Sequence, residues 1–302
     1  MSRKGAMVSP PPLIEHVSDT ARWVAFHRAL ESERPDALFR DLHARRLAGE
    51  RGQRIAEGMP ALPGFRPGPR GLTWVFSVRT KVFDELILDS VKSVEADAVL
   101  NLAAGLDARP YRLQLPSSLA WIEADREEIL NAKTELLAGE RPACRVERIA
   151  VDLADATARL HLFDQVARAH ARVVVVTEGL LVYLEEATVG SLADELRART
   201  SMRRWVLESI TPDVLKRNMR VWGRVLAQGH AEWKFAAPNG FEFFRPHGWS
   251  PKVVRSFFAE ARRLGRLEAR PAWLLRVLTT LSKGFRRQLE NAVVYGVVEP
   301  SQ

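Results

Sequence analysis

The stretch that most constrains this chain is AVLNLAAGLDARPYRL, residues 98–113. Its opening run, Ala98 to Leu102, has the length and β-rich content of a buried strand. The run breaks into Ala103, Ala104 and Gly105. Small side chains let a backbone approach a bound molecule closely, and Gly105 can take positive φ at little steric cost. Asp107 and Arg109 follow at the mouth of the turn. A second strand-like run, Leu119 to Ala124, ends on Asp125, about 20 residues past the small-residue turn. That is the layout of a nucleotide-type βαβ crevice, with a loop under the ligand and a carboxylate accepting from ribose hydroxyls. The alternative is an ordinary buried strand followed by a turn.

The glycine content argues against a dinucleotide. A G-x-G-x-x-G fingerprint builds a pyrophosphate nest at a helix N-terminus. Here one of those glycines is present, and an aspartate follows where an anion would sit. The pattern therefore favours a nucleoside ligand without phosphate, of which S-adenosylmethionine is the commonest cofactor.

Around this stretch, strand and helix patterns alternate. Helical runs are predicted over Glu127 to Leu137, Ala156 to Ala169 and Val189 to Arg199. Strands are predicted over Arg145 to Val151, Arg172 to Thr177 and Trp205 to Ser209, with four consecutive valines in the second marking a strand buried on both faces. Alternation of this kind implies a parallel α/β sheet. Upstream, residues 1–17 read as a loose tail containing Pro10, Pro11 and Pro12. A helix near Thr20 carries Trp23, Val24, Phe26 and Leu30, and a second is expected from Pro35 with Leu38, Phe39 and Leu42 on one face. A Pro- and Gly-rich connection, residues 58–71, leads to a helix over Arg79 to Val91. Downstream, residues 211–240 leave the alternation and read as an insertion over the sheet's carboxyl edge. Residues 248–265 suggest a helix opened by Pro251. Residues 291–299 form a final strand, expected to pair antiparallel with an apolar segment near 273–281.

Several pieces occur together in one order: residues 20–52, RTKVFDELIL (79–88), NLAAGLDARPYRL (101–113), WIEADREEILNAK (121–133), VDL (151–153) and TEGLLVYL (177–184). In these the chain resembles the leucine carboxyl methyltransferase family, in its bacterial branch of S-adenosylmethionine-dependent O-methyltransferases often linked to polyketide pathways. The resemblance covers residues 20–200 well and the last third only in outline. It implies a Rossmann-like class I methyltransferase fold, α/β and mostly parallel, with an antiparallel C-terminal edge, an N-terminal helical cap and an inserted lid. The expected division is a tail (1–17), a cap and linker (18–70) and a methyltransferase domain (71–302) with the lid at about 211–247.

The residues just past the predicted strands are Ala103 to Asp107, Asp125, Asp152 and Glu178. Asp125, Asp152 and Glu178 are acidic and would face one crevice, where mutual repulsion is costly unless a ligand supplies donors or positive charge. Asp125 is the ribose candidate. The resemblance implies that Asp152, with the backbone of Leu153, reads the adenine amino edge. It places Glu178 near the methionine ammonium, with backbone carbonyls around Ala103 and Gly105. It gives Arg79 the methionine carboxylate, a bidentate partner that Arg suits better than Lys, and sets Tyr183 near the transferable methyl. Arg28 could assist from the first helix or simply make a surface ion pair. The family often has Gly-Ala-Gly where this chain has Ala103, Ala104 and Gly105, a departure that matters if position 103 requires positive φ.

A sulfonium is already activated, so the enzyme mainly aligns an oxygen in line with the S–CH3 bond and excludes water. A carboxylate, with a pKa near ~4, is ionised at neutral pH and needs no general base; a phenol near ~10 benefits from one. His230 and His247 flank the insertion as candidate bases, though a lone histidine is commonly a surface residue. Carboxyl O-methylation of a small molecule is the first expectation and hydroxyl O-methylation the second; a scaffold that binds the cofactor without turnover is the third. No Cys/His cluster has zinc spacing, so no metal is expected.

Charge bears on the partner. The chain carries a net charge of +8, and residues 201–302 alone hold 18 Lys and Arg against 8 Asp and Glu. This reads either as solvated arginine-rich faces or as a basic mouth attracting an anionic acceptor. An RNA partner would call for a recognisable binding module, and none is evident. With one cysteine, Cys144, the chain can form no intrachain disulfide, which suits the cytoplasm. No apolar run approaches a membrane span.

Overall fold

The computed structural model describes residues 12–267 and 289–301. A seven-stranded sheet lies at its centre, in the order β3-β2-β1-β4-β5-β7-β6. The strands are β1 (Ala98–Leu102), β2 (Ala120–Asp125), β3 (Arg145–Ala150), β4 (Val173–Thr177), β5 (Met202–Ile210), β6 (Trp249–Ser256) and β7 (Val293–Pro300). The first five are parallel; β7 runs antiparallel between β5 and β6. This is the Rossmann-like, mostly parallel sheet with an antiparallel edge that the strand pattern and the resemblance imply. Strand order reverses between β1 and β4, and ligands bind outside the carboxyl ends of the strands at such a point.

Both faces of the sheet are covered, which is why its central strands are uniformly apolar. The helices are α1 (Asp19–Ser32), α2 (Ala44–Gly58), α3 (Arg70–Ser93), α4 (Arg109–Arg112), α5 (Glu127–Leu136), α6 (Ala156–Ala169), α7 (Glu186–Arg197), α8 (Pro212–Ala227) and α9 (Phe257–Arg263). In β4, Val173 and Val175 join the core shared with Leu162, Phe163 and Leu192, on α6 and α7. Val174 and Val176 face the other way, onto Val78, Phe83 and Ile87 of α3. The four-valine run thus serves two cores by simple alternation.

A third core belongs to the cap. Trp23 and Phe26 of α1, Leu47 and Ile55 of α2, and Trp222 and Leu226 of α8 pack together. In α8, Val214, Asn218, Trp222 and Leu226 are buried at four-residue spacing, which places one stripe against the cap. Residues 211–247, expected as an inserted lid, therefore contain a helix on the cap, a coil, and a 3-10 turn over Gly240–His247.

Four expectations need correction or relocation. The second helix starts at Ala44, not Pro35; Leu42 is 85% exposed, and the chain before it is held in turns by Leu38 N–H donating to Glu31 Oε1 (2.8 Å) and Asp41 N–H to Ser32 Oγ (2.9 Å). The helix before β1 begins at Arg70, nine residues earlier than expected. Residues 248–265 are not one helix: Trp249–Ser256 is edge strand β6, and only Phe257–Arg263 is helical. Pro251 sits beside a register shift of that edge strand, where the missing N–H is tolerated. Consequently β7 pairs with β5 and β6, and the segment near 273–281 lies outside the described residues. Among the described residues no helix is long and apolar enough to cross a membrane.

Candidate active site

One cavity of about 660 Å³ lies between the carboxyl ends of the strands and the cap. Its wall includes all eight residues assigned from the sequence to the cofactor and its methyl group: Arg79, Ala103, Gly105, Asp125, Asp152, Leu153, Glu178 and Tyr183. The β1 turn is built as its composition suggests. Ala103 and Gly105 both have positive φ, +53° and +47°. Ala103 N–H donates to Ala124 O at 2.8 Å, fastening the turn to β2. Gly105 N–H donates to Asp125 Oδ2 at 2.6 Å, and Arg126 N–H to Asp125 Oδ1 at 2.7 Å. Burial raises the Asp125 carboxyl above its ordinary value, against the pull of those two N–H groups. Position 103 thus does require the conformation that favours glycine, and the alanine there is strained.

Behind the turn lies a buried ionic lattice. Arg109 Nε donates to Asp84 Oδ1 (2.7 Å) and Nη1 to Asp107 Oδ2 (2.9 Å), while Nη2 lies 2.7 Å from Glu178 Oε2. Arg112 holds Asp84 through two contacts of 2.6 Å. Burial opposes charge on Asp107 and Arg109, but their partners outweigh it: the Asp107 carboxyl is held well below the usual range, and the Arg109 guanidinium well above its own. Arg28 ties the cap to this lattice through Asp41 (2.9 Å) and Leu106 O (2.6 Å), so its role is to hold the loop.

Glu178, just past β4, is gripped from both sides. Its Oε2 meets Arg109, and its Oε1 lies 2.9 Å from Arg79 Nε. Glu208, near the end of β5, accepts from Gly179 N–H at 2.7 Å and lies 3.6 Å from Arg79 Nη1. Burial lifts the Glu208 carboxyl, Arg79 offsets part of that, and Glu178 adds to it. Arg79 itself stays charged because Glu208 and Glu178 outweigh its burial. Yet its Nε is buried without a hydrogen bond among the described residues, the contact to Glu178 being an ion pair of unsuitable angle. A buried guanidinium with spare donors suits a carboxylate ligand. Acceptor-only groups at Asp125, Asp152 and Glu178 suit hydroxyls, an amino group and an ammonium. The donor set therefore fits S-adenosylmethionine.

Asp152 sits in an exposed turn two residues past β3, where it accepts from Ala154 N–H at 2.9 Å. Leu153 is buried, and its carbonyl accepts from Arg159 Nη1 at 2.7 Å. Tyr183 closes a 3-10 turn, Leu181–Tyr183, with its hydroxyl beside Thr20 and Trp233. Burial pushes that phenol's pKa up, so it remains protonated.

The two histidines part company. His230 is exposed and lines the cavity. His247 does not; its Nδ1 lies 2.8 Å from Asp194 Oδ1 on α7, away from the cavity, and it is no candidate base. Glu208 and Arg217 were not anticipated. Glu208 had a signal: like Asp125 and Glu178, it is a carboxylate near the end of an apolar strand. Arg217 had none beyond the charge of the last third.

Comparison with known proteins places the chain in a family. Residues 21–197 match the sequence profile described as "Leucine carboxyl methyltransferase". The chain belongs to the leucine carboxyl methyltransferase family. It is 33% identical over 258 residues to a "Putative S-adenosyl-L-methionine-dependent methyltransferase" of Mycolicibacterium smegmatis, covering 78% of this chain and 83% of that one. A protein of the same description from Mycobacterium sp. (strain KMS) is 34% identical over 208 residues, covering 67% and 68%. Among solved structures, a "putative methyltransferase" from Thermobifida fusca YX superposes with a TM-score of 0.55 at 15% identity, over 98% of this chain and 100% of that one, a likeness of fold. The chain is an S-adenosylmethionine-dependent methyltransferase of this family.

Proposed function

We propose that this methyltransferase methylates an oxygen of a small, largely aromatic molecule of polyketide-like kind, and that the oxygen is a carboxylate. The cofactor supplies an activated methyl group on sulfur. The chain's own residues bind and orient. Asp125 accepts from the ribose hydroxyls; Asp152 and the Leu153 backbone meet the adenine amino edge. Glu178, clamped by Arg79 and Arg109, receives the ammonium, with carbonyls near Ala103 and Gly105 beside it. The spare donors of Arg79 take the cofactor's carboxylate. The cap and α8 shut water from the crevice, so that the acceptor oxygen is held in line with the methyl group.

The observation that carries the carboxylate reading is the place of Tyr183 on the cavity wall, its hydroxyl beside Thr20 and Trp233. A phenol, with an ordinary pKa near ~10, is neutral at neutral pH, so it offers a hydroxyl that can hydrogen-bond an acceptor oxygen and does not serve as a base. A carboxylate needs none. Glu208 favours a second reading. It lines the cavity and its carboxyl is raised by burial, which makes it a base for a phenolic acceptor.

The test is to incubate the protein with labelled S-adenosylmethionine and matched aromatic carboxylic acids and phenols between pH 6 and 9. Alkali-labile methyl esters formed at a rate flat in pH support the carboxylate reading. Alkali-stable ethers formed at a rate rising with pH, and lost in Glu208→Gln, establish the second reading instead.

A further inference from the structure

Besides its carboxylates, the cavity wall carries a cluster of aromatic rings. Trp23 meets Phe76 edge-on at 5.2 Å and Trp222 at 5.4 Å; Trp222 meets Trp233 at 5.9 Å. All four rings line the cavity. They are fixed from behind: Trp222 Nε1–H donates to Pro60 O at 2.8 Å. Rigid edge-to-face rings make an apolar wall for flat molecules.

The cations of the wall are not equivalent. Arg28, Arg79 and Arg109 are each held by carboxylates, and Arg126 lies 3.9 Å from Asp152. Arg217, on α8, makes no ion pair among the described residues. Its one hydrogen bond there is a long one, Nε to Asn218 Oδ1 at 3.4 Å. Arg79 and Arg109 are raised by their partners, whereas Arg217, partly screened by the wall, has no such partner among the described residues and its pKa falls. Arg217 is also exposed, whereas Asn218 beside it is buried. It therefore stands on the cavity wall where the wall reaches water, with a guanidinium fork that no carboxylate among the described residues holds.

We propose that Arg217 determines acceptor specificity, meeting an anionic group at the solvent-side end of an acceptor whose rings lie against Trp23, Phe76, Trp222 and Trp233. The inference rests on the small-molecule acceptor reading above. In this reading Arg217 meets its charge at the solvent side, while Tyr183, half-buried against the cap, lies beside the oxygen that receives the methyl group. The substrate class is an aromatic molecule with a remote acidic substituent.

The test needs no turnover. Anilinonaphthalene sulfonate is an aromatic anion, and phenylnaphthylamine carries the same rings without the charge. Both are titrated by fluorescence into the S-adenosylhomocysteine-bound parent, Arg217→Gln and Arg217→Lys. Arg217→Gln should weaken the sulfonate by at least about tenfold, the scale of a charged hydrogen bond, and leave the amine unchanged. Arg217→Lys should fall between, keeping charge but not the fork. Added salt should weaken the sulfonate alone in the parent, a control that needs no variant. Equal losses for both probes, no loss for either, or no binding of the sulfonate overturns the proposal. Calorimetric titration of S-adenosylhomocysteine into each variant should show unchanged affinity. Charge discrimination at Arg217 without methyl esters in the previous experiment would sink the carboxylate reading alone; methyl esters without discrimination would sink this one alone.

Discussion

Asp125 Oδ2 accepts the Gly105 N–H at 2.6 Å, so the carboxylate that ends β2 is fastened to the turn that ends β1. One oxygen shapes the loop and the other faces the Arg126 N–H at 2.7 Å. The side chain thus serves structure and binding together, and two substitutions separate them. Asp125→Asn keeps an acceptor for Gly105 and loses the charge that receives two ribose hydroxyls. Its affinity for S-adenosylhomocysteine should fall by about 1–3 kcal/mol, with little change in melting temperature. Asp125→Ala should lose both affinity and stability. Calorimetry with thermal unfolding on the same samples checks this; equal affinity in the Asn variant would remove Asp125 from the cofactor's contacts.

Ala103 stands where the resemblance leads one to expect a glycine, and its φ of +53° is the reason the difference matters. A left-handed alanine costs roughly 1–2 kcal/mol. Ala103→Gly relieves that strain and gives back part of the gain as unfolded-chain entropy. The net expectation is a stabilisation of about 0.5–1 kcal/mol in urea denaturation, with cofactor affinity equal or improved. A destabilised glycine variant would mean that the methyl group's packing outweighs its strain.

Much of this was legible in the chain because the signals were local. Apolar runs closing on Asp125 and Glu178 located strand ends, and strand ends locate the crevice of a parallel sheet. The misreadings fell where distant partners decide. Leu38, Phe39 and Leu42 have helical spacing, but Glu31 and Ser32 capture the backbone there into turns. Residues 249–256 become a strand because β7 offers a free edge some forty residues later; Val253 and Val254 were the available hint. His247 looked like a base by its place beside the insertion, and only the packing of the 3-10 turn on α7 shows it turned to Asp194. Arg217 was one arginine among many until the ion pairs of its neighbours were known.

Asp84 is the hinge of the buried lattice, since both Arg109 and Arg112 bond to it at 2.6–2.7 Å. Removing one partner from a buried ionic group leaves charge uncompensated, at a cost of about 3–5 kcal/mol. Asp84→Ala should show that loss in urea denaturation. Arg109 also holds Glu178 (2.7 Å), so cofactor affinity should fall in whatever fraction remains folded. Near-parent stability in Asp84→Ala would mean that Asp107 and Asp41 suffice to hold both guanidiniums.

His27 gives the fold an acid limit. It is fully buried on α1, stacked on Phe76 at 4.6 Å, with Nδ1 3.1 Å from Thr73 Oγ1 and Nε2 without a partner among the described residues. Burial, aided by the charge of Arg79, pulls its pKa down from 6.5 to about 3. The folded state therefore holds the ring neutral while the unfolded chain takes up a proton below about pH 6.5. Between those values the unfolded state binds more protons, so stability rises with pH and is lost as pH falls. From pH 7 to pH 5 the loss from this one group amounts to about 2 kcal/mol. His27→Phe removes the titration and retains the ring against Phe76. Whatever its absolute stability, its unfolding free energy should depend less steeply on pH over that interval, by about 2 kcal/mol. Urea melts of both proteins at pH 7, 6 and 5 measure the difference. Parallel pH profiles would show that His27 takes up its proton in the folded state, through a rearrangement that opens α1 from α3.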